Sequence, residues 1–290
     1  MPWFPAGSSA LEALVSFLVG REWSCAGFSS QLHQRGAPRL PNRRHATVQY
    51  YTGGTPADPI LAAVLQTTYG FWYPVFGDLG DDERRNAVEA LRPRLQSALS
   101  RYLTIMGLES DVTALERQLV AAPRHRVEYF MMQATGPPIH RPSVRLAQRP
   151  VVREARPGET KRLLALQIAY EREEVLLPNR VLNVQAARRQ LRNDLRHQVI
   201  YVAELDGVPI AKAGTNARGF RYDQIGGVFT DPRYRNCGVG TLLMDVLMRR
   251  LRREGKAVCL FVKTHNFAAR RMYENLGFSH GEQFVISYYH

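Results

Sequence analysis

The sequence predicts a mixed α/β protein of two domains, each built from strands that alternate with helices. The chain has 290 residues, which is enough for two domains of ordinary size. Its hydrophobic fraction of 45% is typical of a folded globular protein. In the second half, apolar runs and helical periodicity follow one another in the order β-α-α-β-β-β-α-β-α-β. This order predicts a mixed sheet with helices on both faces.

The elements of the second half are predicted from local periodicity and turn residues. Asp206-Gly207 is the dipeptide that best fits a tight hairpin turn between two strands. Gly277 is a good left-handed cap for the last helix. The predicted strands are 151–154, 199–205, 208–217, 222–230, 256–262 and 282–289. The predicted helices are 159–174, 184–196, the helix after the turn at Arg235, and 267–276.

The first half shows a similar order of elements. Strands are predicted over 46–51, 59–68, 70–76, 102–107 and 125–134, and helices over 82–100 and 112–121. This order repeats the end of the second half, so the first half is either a degenerate copy of the same fold or an unrelated α+β domain. The predicted organisation is a first domain 1–136, a proline-rich linker 137–150 and a second domain 151–290.

Composition limits the classes of partner. The formal net charge of +13 suits an anionic partner, which could be nucleic acid, a membrane surface or a polyphosphate cofactor. No apolar run approaches the roughly 20 residues of a membrane span, and the N-terminus lacks a basic leader. The cysteines Cys25, Cys237 and Cys259 have no metal-like spacing, so we expect no bound metal and a reducing, cytoplasmic location.

A glycine-containing turn, Arg235-Asn236-Cys237-Gly238-Val239-Gly240, leads directly into an amphipathic helix. A helix leaves its first backbone N–H groups unpaired, and glycines allow an anion to approach them closely. The motif is not a dinucleotide fingerprint, since the third glycine is replaced by Leu243, and it is not a Walker loop. The alternative is an ordinary strand–turn–helix connection.

The strand before the turn favours a ligand site. Gly226-Gly227 interrupts that strand, and paired glycines inside a strand usually mark a bulge or the close approach of a ligand. Pro232 then ends the strand immediately before the turn.

The segment "IGGVFTDPRYRNCGVGTLL" resembles the acetyl-CoA signature of the GNAT superfamily of N-acetyltransferases. A second block, "THNFAARRMYENLGF", is similar to the motif that follows it in that family. The matching positions of the two blocks are Pro232, Tyr234, Arg235, Gly238 and Gly240, then Asn266, Ala269, Tyr273, Gly277 and Phe278. The resemblance covers about residues 151–290 and implies a GNAT-like fold there, with a tandem arrangement if the first half is a second copy.

The resemblance implies how acetyl-CoA is bound. Its pyrophosphate would lie on the N–H groups of the glycine turn, and its pantetheine arm would pair with the backbone of the preceding strand. The N–H of Val228 would stabilise the oxyanion. The implied cofactor-binding residues are Val228, Phe229, Thr230, Arg235, Asn236, Cys237, Gly238, Val239, Gly240 and Asn266, of which Asn266 could equally cap its helix.

The resemblance also implies a general acid. Tyr273 would protonate the departing CoA thiolate; the alternative is a tyrosine that only packs inside its helix. For the base that collects the acceptor's proton, Asp223 ranks first, with Glu204, Glu173 and Glu174 as further candidates by position. Each of these carboxylates could equally be a solvated surface group.

The sequence therefore predicts an N-acetyltransferase that moves an acetyl group from acetyl-CoA to a primary amine by direct attack, without a metal. The alternative is a non-catalytic acetyl-CoA-binding sensor. The acceptor, a small molecule or a protein amine, is left open, as is a homo-oligomer. Nucleic acid and membranes are not expected as partners, because a cofactor with several phosphates explains part of the basic excess.

Overall fold

A computed structural model describes residues 3–34, 36–139 and 142–290. The strands are β1 (Trp3–Pro5), β2 (His33–Gln34), β3 (Ala37–Pro38), β4 (Ala46–Thr52), β5 (Ile60–Thr67), β6 (Phe71–Phe76), β7 (Thr104–Leu108), β8 (His125–Ala134), β9 (Val151–Glu154), β10 (Ile200–Leu205), β11 (Val208–Arg218), β12 (Tyr222–Thr230), β13 (Ala257–Lys263) and β14 (Phe278–Tyr288). The helices are α1 (Leu11–Val19), α2 (Glu22–Leu32), α3 (Asp81–Glu89), α4 (Arg92–Leu99), α5 (Glu109–Glu116), α6 (Thr160–Tyr170), α7 (Val184–His197), α8 (Val239–Arg253) and α9 (Phe267–Asn275).

The chain divides into two compact units that are discontinuous in sequence. The first unit contains the residues up to Met132 together with Phe261–Asn266 and His280–His290. The second unit contains Gln133–Leu260 and Phe267–Ser279. The predicted domains, 1–136 and 151–290, are continuous segments, whereas these units are not. The division of the chain into two functional domains at those positions stays a prediction.

The first unit is built on a mixed sheet with the strand order β1-β4-β5-β6-β7-β14-β8. β6 and β7 are parallel, and β14 is antiparallel to β7, with Val285 opposite Gly107. The core contains aromatic and aliphatic side chains with almost no exposed surface, including Tyr51, Trp72 and Leu91. Burial of such side chains stabilises the fold by about 1.5–3 kcal/mol each.

Three predictions for the first half need correction. The helix expected over 82–100 is two helices, α3 and α4, because Pro93 in the first turn of α4 has no N–H for the Glu89 carbonyl. The helix expected over 112–121 is α5, which begins at Glu109. The sequence analysis did not predict β1, α1 and α2. With them, and apart from the short β2–β3 hairpin and the division of one helix into α3 and α4, the first part has the order β-α-α-β-β-β-α-β-α-β, which repeats the order of residues 151–290.

Across residues 151–290 the predicted order of elements is confirmed, although the last strand, β14, belongs mostly to the first unit, and the second unit contains the elements before it. The strand order is β13-β12-β11-β10-β9, and only the β12–β13 pair is parallel among the described neighbours of this unit. Leu205 pairs with Val208, so the Asp206-Gly207 hairpin has a two-residue loop. Both residues of the loop have positive φ, +50° and +75°, as a type I′ turn requires.

Helices cover both faces of this sheet. α6 and α7 bury Leu163, Leu191 and Leu195 against Ile200 and Val202 of β10. α8 contacts β10, β11 and β12 through a buried apolar face that includes Leu243 and Leu247. None of the helices in residues 3–34, 36–139 and 142–290 combines the length and apolarity needed to cross a bilayer.

Candidate active site

The centre of the candidate site is a bulge in β12. Lys212 of β11 lies opposite Phe229, and Gly214 lies opposite Gly226, so Gly227 and Val228 together face Ala213. Gly227 has φ of +61°, a left-handed conformation that favours glycine. The bulge predicted from Gly226-Gly227 is confirmed.

The edge of β12 beyond the bulge has no ladder partner on the β13 side in the part of the chain that the structure describes. The parallel ladder runs from Tyr222–Ala257 to Ile225–Leu260 and ends there, whereas β12 continues to Thr230. Backbone groups of residues 226–230 on this side can therefore bind an extended ligand as a further strand would.

The glycine turn lies at the N-terminus of α8. Asn236 and Gly238 have φ of +60° and +81°, and the helix begins at Val239. The first helical hydrogen bond runs from the Leu242 N–H to the Gly238 carbonyl. The N–H groups of residues 239–241 consequently have no acceptor within the helix, and the helix dipole adds partial positive charge at the same place.

Arg235, the cation of this turn, is held by three contacts. Its Nη2 lies 2.8 Å from Glu173 Oε2, its Nε donates to the Thr230 carbonyl at 3.1 Å, and its guanidinium lies over the Phe229 ring. Arg235 and Glu173 are both partly exposed, so this ion pair contributes at most about 1 kcal/mol to stability. The guanidinium can therefore exchange Glu173 for a phosphate at little cost.

The segment predicted as a linker packs directly on the glycine turn. The Arg145 N–H donates to the Cys237 carbonyl at 2.9 Å, and a Cβ at Gly238 would overlap the Ser143 carbonyl. The described residues of 136–150 form neither helix nor strand. Gly238 is thus required both by its positive φ and by this close approach.

We expect Gly238→Ala to lower the free energy of unfolding by about 2–3 kcal/mol, because left-handed backbone strain and overlap add. The matched control is Gly255→Ala, since Gly255 has φ of +75° but open space around a new Cβ. That variant should lose only about 1 kcal/mol. Urea unfolding of both variants measures the difference, and equal losses would contradict the close packing of residue 143 on the turn.

A cavity of about 390 Å³ opens beside the bulge. It lies among α6, α7, β11 and β12. Its polar lining includes Tyr170, Glu171, Asp194 and Lys212, and Gly227 contributes backbone.

The ionisable groups of this cavity are perturbed by burial. Burial lowers the pKa of Lys212 to about 8, although the carboxylates of Asp194 and Glu171 oppose the shift. Burial also raises the pKa of Tyr170 to about 12 and raises the pKa of Asp194. At neutral pH the cavity therefore holds a neutral phenol and a lysine that loses its proton more readily than an exposed one.

Tyr273 lies on α9 and is only 7% exposed. Its ring packs against Phe278, with the ring centroids 5.8 Å apart. Burial raises the pKa of its hydroxyl, and the nearby Tyr170 and Glu174 raise it further. Tyr273 is therefore a protonated phenol throughout the neutral range.

Residues 167–278 match the model of the Acetyltransferase (GNAT) family. This stretch of the chain is a GNAT domain. It contains the bulge, the glycine turn and the cavity. No curated protein matches the sequence.

Solved structures share the fold over almost the whole chain. A GNAT-family acetyltransferase from Colwellia psychrerythraea is 12% identical, with 99% of each chain covered and a TM-score of 0.54. A Drosophila protein is 13% identical, with 98% of each chain covered and a TM-score of 0.65. A tandem GNAT protein from the clavulanic acid biosynthesis pathway is 13% identical, covers 99% of this chain and 98% of its own, and has a TM-score of 0.55. At these identities the likeness concerns the fold.

The GNAT domain brings many of the predicted site residues together. Thr230 and Met272 of α9 both lie close to Gly240, within 3.2 and 3.3 Å of an added Cβ. Arg235 contacts Thr230 and Phe229, as described above. Asn266 immediately precedes α9 and belongs to the first compact unit. The assignment of these residues to acetyl-CoA stays a prediction.

Asp223 lies apart from this group. It lies four positions before Gly227 along β12, about 13 Å away in an extended strand, and it does not line the cavity. It is fully buried, and its Oδ2 accepts from Arg218 Nε at 3.2 Å. Burial raises its pKa, and Arg218 and Lys256 oppose the shift. Its role as base remains a prediction for which this geometry supplies no support.

Two of the three further candidates for the base, Glu204 and Glu173, also form ion pairs. Glu204 is buried and accepts from Arg153 and Arg162, at 2.6 and 2.9 Å. Glu173 pairs with Arg235. Glu174 affects the pKa values of both Tyr170 and Tyr273, so it lies near the two phenols.

Sequence reasoning missed the residues that line the cavity, Tyr170, Asp194 and Lys212. One signal was present: Lys212 interrupts a run of small and apolar residues in "VPIAKAGT", and every position from Ile210 to Thr215 is buried. A lysine in the middle of such a strand needs a partner. Its partners could not be read from the sequence, because they come from α7 and from the end of α6.

Proposed function

We propose that this protein transfers an acetyl group from acetyl-CoA to a primary amine. The observation that carries the proposal is that three features lie along the C-terminal part of β12: an unpaired strand edge after Ile225, a cavity with charged walls at Gly226 and Gly227, and the N-terminus of α8 close to Thr230. Each feature suits a different part of the reaction.

The glycine turn suits the pyrophosphate of acetyl-CoA. The N–H groups of residues 239–241 and the guanidinium of Arg235 would bind its oxygens, with Asn236, Cys237 and Gly238 shaping the turn. Residues 228–230 would pair with the pantetheine arm through their backbone. The N–H of Val228 would donate to the thioester oxygen, on which negative charge develops during transfer. Asn266 is proposed to bind the same arm.

The cavity suits the acceptor amine. Glu171 and Asp194 give its wall two carboxylates against one lysine, so the field favours a cationic acceptor. An ammonium group must lose its proton before it attacks, and these carboxylates line the cavity whereas Asp223 does not. We therefore propose that Asp194 or Glu171 collects the proton, directly or through water.

Tyr273 is proposed as the general acid. Its hydroxyl keeps its proton at neutral pH because burial raises its pKa, and the phenol lies near Tyr170, whose hydroxyl hydrogen-bonds to the backbone of Gly227. This proximity supports Tyr273 as the residue that would protonate the departing CoA thiolate.

The proposal assigns no acetyl-CoA site to residues 1–136. The corresponding helix there is α3, which begins after Gly80 with Asp81, Asp82 and Glu83 in its first turn. Carboxylates at a helix N-terminus are favourable for the helix but repel phosphate. Across the described residues there is also no cluster of His, Cys, Asp and Glu that could hold a metal. The three free cysteines fit a reducing compartment, and we propose the cytoplasm.

The first test is calorimetric titration of acetyl-CoA, and separately of CoA, into the full chain. We expect both to bind, and a screen of polyamines, amino sugars, peptides and lysine side chains for acetyl-dependent thiol release should then identify an acceptor. Binding without release for any acceptor would favour the sensor alternative. No binding would remove the proposal.

A further inference from the structure

Both polar groups of the Gly227 backbone are engaged by the cavity side chains. Lys212 Nζ donates to the Gly227 carbonyl at 2.9 Å, and the Gly227 N–H donates to the Tyr170 oxygen, a contact that opposes the rise in the pKa of that hydroxyl. Lys212 Nζ also lies 4.5 Å from the centre of the Tyr170 ring. In a regular strand these two backbone groups would hydrogen-bond to the neighbouring strand. At a bulge the residue is left out of that pairing, so side chains can bond to its backbone instead.

The contact between Lys212 and Gly227 leaves little room. A Cβ at Gly227 would lie 3.0 Å from the Lys212 ammonium nitrogen. Lys212 is 5% exposed, and its stem lies within the buried part of β11. Burying a lysine ammonium among small residues lowers the stability of the fold. Its position against the Gly227 carbonyl is therefore better explained by a function than by stability.

The Gly227 carbonyl and the Val228 N–H belong to the same peptide unit. In a trans peptide the carbonyl and the N–H point in opposite directions. Because Lys212 lies at the carbonyl, the Val228 N–H points away from Lys212. A hydrogen bond or a positive charge at the carbonyl end makes the N–H end a stronger donor, because hydrogen bonds through one amide polarise one another.

We propose that Lys212 is a positioning residue for acyl transfer: it fixes and polarises the Gly227–Val228 peptide, and thereby strengthens the Val228 N–H as the donor to the thioester oxygen. The inference rests on the proposed function. Lys212 does not touch the reacting atoms, and Tyr170 holds the other end of the same residue.

The effect depends on the charge of Lys212. The groups that face it are Asp194 from α7, Tyr170 at the end of α6, and Glu171, which follows α6 directly. Burial raises the pKa of Asp194, and the pKa of Tyr170 is about 12. We assign a change near pH 8 to Lys212, whose pKa is about 8, and the Lys212→Arg variant tests this assignment. Below that pH the ammonium polarises the peptide, and above it a neutral amine does so more weakly.

The experiment uses the full chain with acetyl-CoA labelled with carbon-13 at the thioester carbonyl, and no acceptor. Infrared difference spectra give the stretching frequency of the bound carbonyl, and calorimetry gives the affinity for the same samples. In the wild type we expect a carbonyl frequency below that of free acetyl-CoA, and a smaller shift as the pH rises through about 8. Lys212→Met should show the smaller shift at every pH, with nearly unchanged affinity.

Lys256→Met is the matched control, because Lys256 Nζ also donates to backbone carbonyls, those of Gly219 and Phe220, at 2.6 and 2.8 Å. It should keep the wild-type carbonyl frequency. Lys212→Arg should keep the shift and lose its pH step. If acetyl-CoA binds but its carbonyl frequency depends neither on pH nor on Lys212, this inference is overturned and the proposed function is not. The pH dependence of the carbonyl frequency in the wild type decides the inference even if a variant does not fold. Absence of binding overturns the proposed function as well.

Discussion

Gly240→Trp is expected to weaken acetyl-CoA binding by about 100-fold or more, which corresponds to the loss of one or two charge-assisted hydrogen bonds. Gly240 is the second residue of α8, and its N–H is one of the unpaired donors of the glycine turn. A Cβ there already lies 3.2 Å from Thr230 Oγ1 and 3.3 Å from Met272 Sδ. An indole must displace these neighbours or enter the space in front of the N–H groups, and either outcome removes the anion site.

The measurement is calorimetric titration of acetyl-CoA into the folded variant. Gly80→Trp is the matched control, because Gly80 also lies at a helix N-terminus, immediately before α3, and has open space around a new Cβ. It should bind acetyl-CoA as the wild type does. Wild-type affinity in a folded Gly240→Trp protein would contradict the assignment of the pyrophosphate to this turn.

Tyr273→Phe is expected to lower turnover by about 100-fold or more, the usual contribution of a general acid, while acetyl-CoA affinity changes little. The substitution removes only the hydroxyl and keeps the ring against Phe278. Because burial raises the pKa of Tyr273, the acid form persists through the neutral and mildly alkaline range. A loss of rate on the alkaline side of neutrality should therefore not come from this residue.

Turnover is followed by thiol release with an acceptor from the amine screen, and affinity by calorimetry. Tyr222→Phe is the matched control, because Tyr222 lies at the start of β12, away from the bulge. Its hydroxyl donates to the side-chain oxygen of Gln133 in β8. It should leave the rate unchanged. If Tyr273→Phe keeps the wild-type rate, Tyr273 is a packing residue and another group, or water, supplies the proton.

Local signals predicted most of the second unit. The two-residue hairpin at Asp206-Gly207, the bulge at Gly226-Gly227 and the helix after the glycine turn all depend on residues that are adjacent in sequence. Such features follow from backbone preferences of glycine and from periodicity, which a sequence displays directly. Pro93 gave an equally local signal for the break between α3 and α4, and the prediction of one helix overlooked it.

Contacts between distant segments could not be predicted in the same way. The cavity joins the end of α6, the middle of α7 and a lysine of β11, and no spacing in the sequence links them. The packing of Ser143 and Arg145 on the glycine turn is of the same kind, since a proline-rich segment shows no periodicity that reveals a partner. Asp223 was chosen by its position on a strand, and its pairing with the partly exposed Arg218 was not predicted.

The place of β14 in the first unit has a consequence for the order in which the protein can fold. β14 lies between β7 and β8 in that sheet, and Val285 pairs with Gly107 across a long stretch of chain. During synthesis the ribosome releases β7 and β8 long before β14, so neither strand can pair with β14 until that strand has emerged. Long-range pairing of this kind slows folding and exposes strand edges to aggregation. Removing His280–His290 would take most of β14 out of the first unit, most of which comes from residues 1–132, and would leave β7 and β8 without the strand between them.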